Sequence, residues 1–294
     1  MKAKRLGLLL SVLACALLAA TFAHPTLSLK RMTYRYVLVF DITQSMNVVD
    51  QPVVHPTTSR LEFAKQSAVE ALTRLPCGSE VGIALFTGHR ALLLIMPVEI
   101  CANYREVSTI ISGIDWRMAW EAKSEIAKGL YKSIGLMQQL GGSTRLMFFT
   151  DGQEAPVINP EVVPQFTGKA GEIAGMIVGI GGDKPLSIPK FDAHGQVKGY
   201  WQPADIAAAY SDTNDNLAIG GEHLSALHES YLKELAVKTG LLYARLEDAA
   251  ALGDQLTTSA LGIPKVQTTD MRWLCALAAL LIYLATYLVG RQTK

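Results

Sequence analysis

The stretch Asp41-Ile42-Thr43-Gln44-Ser45 decides the fold, because it ends a strand-like run and carries the polar side chains of a candidate site. The run before it, Tyr34-Arg35-Tyr36-Val37-Leu38-Val39-Phe40, is rich in β-branched and aromatic residues, which indicates a buried strand. Asp41, Thr43 and Ser45 offer the hard oxygen ligands that Mg²⁺, Ca²⁺ or Mn²⁺ prefers. Taken alone, so short a pattern also fits a strand that ends in a polar turn.

A second strand-like run, Leu146-Met147-Phe148-Phe149-Thr150, also ends in a carboxylate, Asp151. In an open α/β sheet, ligands gather outside the carboxyl ends of the strands. If the two strands are neighbours, their carboxylates converge there, and a nearby loop is expected to add a ligand. Ser124 qualifies, and it is also placed to cap the helical pattern that begins at Glu125. The sequence therefore predicts a divalent-cation site built from Asp41, Thr43, Ser45, Ser124 and Asp151.

Helical and strand patterns alternate along the chain, which predicts an α/β fold with a largely parallel sheet. We expect helices over 60–72, 103–115, 125–140, 228–238 and 249–261. We expect further strands over 81–86, 91–95, 175–181 and 241–245. Between 183 and 224 the pattern loosens, and a small exposed hairpin that turns at His194-Gly195 is predicted there.

Two cysteines, Cys77 and Cys101, flank the strand-like runs 81–86 and 91–95. A hairpin centred near His89 would bring them opposite each other, and an oxidising compartment would let them bond. We predict this disulfide. The alternative is a pair of free thiols on strands that have diverged, since the hairpin is long and Pro97 interrupts it.

Composition and charge restrict the function. The 294 residues carry a formal net charge of only +1, so nothing suggests a phosphate-tracking surface and nucleic acid is not an expected partner. Half of the residues are hydrophobic, and the excess gathers at both ends.

Both ends of the chain resemble membrane-directed segments. Residues 1–23, a basic start followed by an uncharged run, predict a signal peptide or a retained signal anchor. The uncharged run 273–289 predicts a transmembrane helix, about 26 Å long at about 1.5 Å per residue. Basic residues at both termini predict that both termini lie in the cytoplasm. The body would then lie in the periplasm of a bacterium, held at the inner membrane.

The Asp41–Ser45 turn together with Thr150-Asp151-Gly152 resembles the metal-ion-dependent adhesion site of von Willebrand factor A domains. The resemblance covers residues 34–262 and implies a doubly wound sheet with one antiparallel edge strand and helices on both faces. It places Thr43 where the family has serine and Ser124 where it has threonine, and both exchanges keep the hydroxyl. Mg²⁺ or Ca²⁺ bound there would keep an open position for an acidic residue of a protein partner.

Two further stretches narrow the resemblance. Arg60-Leu61-Glu62-x-Ala64-Lys65 and the hairpin of 188–200 are similar to bacterial membrane-anchored members linked to MoxR-type ATPases. Within that group, Asp41-Ile42-Thr43-Gln44-Ser45-Met46-Asn47 is most similar to the accessory proteins of methanol oxidation clusters. That similarity implies a role in assembly or Ca²⁺ loading of methanol dehydrogenase, alongside other membrane-anchored accessory proteins.

Two other functions stay open from the sequence. A phosphatase of the haloacid dehalogenase type needs a second carboxylate at position 43, where this chain has threonine, and no nucleophile elbow or phosphate loop is present, so we expect no catalysis. A scaffold in a membrane complex, with a purely structural metal, is the other alternative. Trp116 and Trp120, close to Ser124, would either form a rim for a partner or pack under the loop.

Overall fold

The computed structural model describes residues 2–50, 58–141, 143–157, 164–192, 194–210 and 221–292. They form two compact units. The larger unit, Thr33–Ile263, contains the central sheet and the candidate site. The smaller unit combines Met1–Met32 with Pro264–Lys294.

The described residues form twelve β-strands. They are β1 Thr26–Thr33, β2 Arg35–Asp41, β3 Glu80–Thr87, β4 Arg90–Glu99, β5 Arg145–Thr150, β6 Gly175–Gly179, β7 Leu186–Ser187, β8 Pro189–Phe191, β9 Val197–Tyr200, β10 Leu224–Ser225, β11 Leu242–Arg245 and β12 Ile263–Asp270. The helices are α1 Lys2–Ala20, α2 Arg60–Leu72, α3 Ile100–Ser112, α4 Ile126–Leu140, α5 Pro203–Tyr210, α6 Glu229–Thr239, α7 Ala249–Leu256 and α8 Arg272–Gln292.

Six of these strands form the central sheet in the order β11-β6-β5-β2-β3-β4. Every neighbouring pair is parallel except β3 with β4, which is antiparallel and closes one edge. The predicted α/β fold with a mostly parallel sheet is therefore confirmed, and β2 and β5 are neighbours as the site requires. Their carboxyl ends bring Asp41 and the residue after Thr150 to the same edge of the sheet.

Both faces of the sheet are covered by helices, which explains the unbroken apolar runs in the sequence. Tyr36, Leu38 and Phe40 of β2 pack in one core with α2, α3 and α7. Val37 and Val39 point the other way and pack with α4 and α6. Because successive side chains of a strand alternate between faces, a strand buried on both faces needs apolar residues at every position.

One glycine lets α4 lie close to the sheet. A Cβ built on Gly129 would lie 2.0 Å from the ring of Phe86 in β3, well inside contact distance. Any larger residue would therefore push the helix away from the strand. Since Ser124 lies just before α4, this close approach also sets the position of the predicted Ser124 ligand.

Several predicted boundaries differ from the structure. The third helix begins at Ile100 rather than 103, because the Glu99 side chain accepts the backbone N–H of Ala102 and caps it there. The helix predicted over 249–261 stops at Leu256 and a separate 3-10 turn follows over Ser259–Leu261. Pro97 does not end β4, which runs on to Glu99 across irregular pairing with β3.

The loose region 183–224 contains more order than expected. The predicted hairpin is present as β8 and β9. The sequence pattern predicted neither α5 nor the short pairing of β7 with β10, since each of these strands has only two residues. Residues 193 and 211–220 of the predicted insertion lie outside the described residues.

The smaller unit contains α1, α8 and the pairing of β1 with β12, a two-stranded sheet that the sequence pattern did not predict. Over the part of the chain that the structure describes, none of the helices combines the length and the apolar content that crossing a membrane requires. The predicted transmembrane helix over 273–289 is therefore not supported.

The predicted disulfide is confirmed. Cys77 and Cys101 are bonded across the base of the β3–β4 hairpin, with their Cα atoms 5.2 Å apart. Glu99 adds a second tie at the same place, because its carboxylate accepts the backbone N–H of Gly78 at 2.6 Å. The antiparallel edge strand is thus fixed to the turn that precedes β3.

Replacing both bonded cysteines (C77S/C101S) should lower the free energy of unfolding by about 3 kcal/mol, since the bond closes a loop of 24 residues in the unfolded chain. Denaturant titration of the full chain measures this loss. The matched control is C15S/C275S, which removes the two free thiols and should leave the stability unchanged. Equal stabilities of the two double variants would contradict the prediction.

Candidate metal centre

Asp41 lies at the end of β2 with its carboxylate fully buried and bonded on both oxygens. One oxygen accepts the backbone N–H of Thr43 at 2.9 Å and its hydroxyl at 2.7 Å. The other accepts the hydroxyl of Thr150 at 2.7 Å. The Ser45 hydroxyl lies 3.4 Å from that of Thr43. The sequence turn Asp-x-Thr-x-Ser thus folds its three oxygen-bearing side chains into one cluster.

The environment of Asp41 favours its protonated form in the absence of a cation. Burial raises the pKa of this carboxyl, and the nearby charge of Asp151 raises it further, to about 7. The hydrogen bonds from Thr43 and Thr150 act in the opposite direction. A cation bound here would remove the cost of the buried charge.

Asp151 also lies at this edge, but a buried arginine engages it. Arg60 Nη1 lies 2.6 Å from Asp151 Oδ2, and both side chains are fully buried. The Ser225 hydroxyl donates to the same oxygen at 3.1 Å, and the other oxygen accepts the backbone N–H of Gln153 at 2.9 Å. Asp151 therefore already has one full positive charge beside it.

The guanidinium of Arg60 is held from several sides. Asp50 accepts from its Nη2 at 2.5 Å, and Ser225 accepts from Nη1 at 2.6 Å. Burial lowers the pKa of Arg60, but the charges and hydrogen bonds of Asp151 and Asp50 outweigh that effect and the pKa lies above its usual range. Gly181 makes room for it: its φ is +135°, and a Cβ there would lie 2.9 Å from Arg60 Nε.

Ser124 reaches the site but does not cap α4 as predicted. The residue at the cap is Glu125, which makes no side-chain bond there. Glu154 takes that role instead, since its carboxylate accepts the backbone N–H groups of Ile126 at 3.0 Å and Ala127 at 2.9 Å. The Ser124 hydroxyl is buried and has no hydrogen-bond partner in the part of the chain that the structure describes, although its backbone pairs with Ala155.

The donor set fits a hard divalent cation. Thr43, Ser45 and Ser124 line one cavity, and Asp41 contacts Thr43 directly. A buried hydroxyl without a partner is costly, and a cation is one of the groups that would satisfy its oxygen. Asp41, Thr43, Ser45 and Ser124 are therefore the residues that would hold the ion, while Asp151 is shared with Arg60.

Sequence reasoning missed three contributors: Asp50, Arg60 and Ser225. Arg60 offered a signal, since it stands in the quoted Arg60–Lys65 pattern, but its target lies 91 positions away. Of the two tryptophans considered as a rim, Trp116 stacks on Phe191 with ring centroids 4.9 Å apart. Both Trp116 and Trp120 pack against the core on the α2 side, which favours the packing interpretation.

Removing the buried positive charge of Arg60 should destabilise the chain strongly. R60M leaves the buried Asp50 and Asp151 carboxylates without their counter-charge, which should lower the free energy of unfolding by about 3–5 kcal/mol. The control R74M breaks an exposed pair with Asp254 and should cost less than about 1 kcal/mol. Denaturant titrations of both variants decide, and similar losses would contradict this assignment.

The isosteric variant D41N should separate the metal from the fold. The ionised Asp41 carboxylate destabilises the metal-free chain, so its stability should fall as pH rises from 3.8 towards about 7, the usual and the raised pKa of this group. D41N should lose this pH dependence and be at least as stable at neutral pH.

Thermal melting with and without Mg²⁺ or Ca²⁺ completes that test. A cation at 100 times its dissociation constant should stabilise the unaltered chain by about 2.7 kcal/mol and D41N by much less. The control D254N removes an exposed carboxylate of α7 and should keep the full metal effect. A metal effect that survives in D41N would rule out this site.

No protein-family model and no curated protein sequence matches the chain. Solved structures do match. An aerotolerance-related membrane protein from Bacteroides fragilis matches with 16% identity and a TM-score of 0.52, over 77% of this chain and 98% of that one. BatB from Bacteroides thetaiotaomicron matches with 18% identity and a TM-score of 0.51, over 76% and 97%. At these identities the likeness concerns the fold alone, and it covers nearly the whole length of both neighbours.

Proposed function

We propose that the chain is an adhesion module of the von Willebrand A type, which binds a divalent cation and through it an acidic residue of a protein partner. The observation that supports this best is the buried hydroxyl of Ser124, which has no hydrogen-bond partner among the described residues and belongs to a residue that lines the same cavity as Thr43 and Ser45. When bound, Mg²⁺ or Ca²⁺ would supply an open coordination position for a partner carboxylate.

The residues of the chain itself favour such a role. Arg60 neutralises Asp151 from inside, so the protein ligands do not saturate the charge of a divalent ion. The Thr43 and Ser45 side chains line the cavity, so an ion held by their hydroxyls would lie next to it. We propose binding rather than catalysis, since position 43 carries a hydroxyl where a phosphatase of the haloacid dehalogenase type needs a carboxylate.

The disulfide supports a location outside the cytoplasm. Bonds such as Cys77–Cys101 persist in oxidising compartments, and the periplasm is the compartment that we propose. There the module would act in the assembly or Ca²⁺ loading of an enzyme. The resemblance to accessory proteins of methanol oxidation makes methanol dehydrogenase the first partner to test.

A structural role is the second candidate. The same pairing of Arg60 with Asp151 favours it, because an arginine already neutralises one of the two carboxylates without a metal. In that case the ion would only hold the Asp41–Ser45 turn in place, and no partner would depend on it.

Co-purification of the tagged full chain from its own host, with Mg²⁺ or Ca²⁺ in one arm and a chelator in the other, tests the proposal. We expect a partner that is retained with metal, lost with chelator and lost in D41N, because its carboxylate needs the ion. D254N should retain it. Retention of the same partners in both arms would contradict recognition through the metal and favour the structural role.

A further inference from the structure

A cavity of about 520 Å³ opens beside the metal centre. It is lined by the three hydroxyl residues of the site and, from the 183–224 region, by the apolar side chains of Ile188, Trp201 and Ile206. A site for a single cation does not need a space of this size. The apolar walls therefore offer room for a neighbouring group of whatever binds at the metal.

A buried carboxylate lines the same cavity. Glu222 is 4% exposed; one of its oxygens accepts the backbone N–H of Val157 at 3.1 Å, and the other has no hydrogen-bond partner among the described residues. An unsatisfied buried carboxylate oxygen is strongly unfavourable, so a donor that reaches it would be held firmly. The most favourable donor is a cation, because the hydrogen bond is then charge-assisted.

The other charged groups that line the cavity do not cancel its preference for a cationic ligand. Glu121 lines it with about a third of its side chain exposed, and it lies 3.5 Å from His89 Nδ1. Glu125 and Lys123 also line it, and Glu125 is paired with Lys128 on its own helix. Among the described residues that line the cavity, three glutamates thus stand against one lysine.

The aromatic wall is fixed in place before any ligand arrives. The Trp201 indole N–H donates to Gln44 Oε1 at 3.3 Å, and Gln44 lies between the ligands Thr43 and Ser45. The ammonium of Lys190 lies 4.9 Å from the centroid of the same ring, held by Asp205 at 2.8 Å. An ordered aromatic wall costs little entropy when an alkyl chain packs on it.

We propose that this cavity binds a lysine or arginine side chain of the partner, next to the acidic residue that completes the metal centre. The apolar stem of such a side chain packs on Ile188, Trp201 and Ile206, and its cationic head reaches Glu222. This proposal rests on the proposed function in one respect only: that function supplies the protein partner whose side chain enters the cavity. Binding of the cationic side chain itself requires no metal.

Indole resonances of the full chain test the proposal with small probes. Nitrogen-15 labelling gives one indole signal for each of the four tryptophans, and W201F assigns that of Trp201. Butylammonium, which mimics a lysine side chain, should shift the Trp201 signal saturably in the absence of metal. Butanol, with the same stem but no charge, and butyrate, with the opposite charge, should not. Equal shifts with butylammonium and butanol would overturn the proposal.

The variant E222Q should weaken butylammonium binding about tenfold or more, as expected when a charge-assisted hydrogen bond is lost. The control E106Q removes an exposed carboxylate of α3 and should leave the affinity unchanged. Unchanged affinity in E222Q would also overturn the proposal. Should E222Q fail to fold, the comparison of probes in the unaltered chain decides.

Metal titrations distinguish this proposal from the proposed function. E222Q should still bind Mg²⁺ or Ca²⁺, and D41N should still bind butylammonium. Butylammonium binding in a chain that takes up no cation would support the cavity and contradict the adhesion site. Cation binding in a chain that ignores butylammonium would do the reverse.

Discussion

The ion pair of Arg60 with Asp50 and Asp151 is the constraint on which the carboxyl edge of the sheet depends. The Arg60 guanidinium has no exposed surface, so each of its N–H donors must find an acceptor within the protein. The acceptors come from the loop after β2, the end of β5 and the strand β10. One side chain thereby fixes three segments that are distant in sequence.

Because of this arrangement, the two carboxylates of the site, Asp41 and Asp151, have different roles. Asp151 serves the fold, because its charge is matched by a cation that belongs to the chain. Asp41 has hydroxyls and a backbone N–H as partners but no cationic side chain among the described residues, so its charged form is the less favourable one. A divalent ion bound at this edge would therefore gain most from Asp41, and the hydroxyls of Thr43, Ser45 and Ser124 are the further oxygens that we propose as its ligands.

Local patterns were enough to predict the sheet and the hairpin, because helices cover both faces and each strand is a continuous apolar run. The pairing of Cys77 with Cys101 followed from the same hairpin. Contacts between distant segments were beyond such patterns. Nothing near Ser225 marks it as a partner of Arg60, and Glu154 displaces Ser124 from the helix start because a loop 28 residues further on folds back to Ile126.

The hydrogen bond between Gln44 and Trp201 joins the metal loop to the wall of the neighbouring cavity. A shift of the Asp41–Ser45 turn on ion binding would therefore act on the indole, and a displacement of the indole would act on the turn. If both places are occupied as proposed, their occupancies would be linked, and such linkage is reciprocal: a ligand against Trp201 would change the affinity for the ion by the same factor as the ion would change the affinity for that ligand.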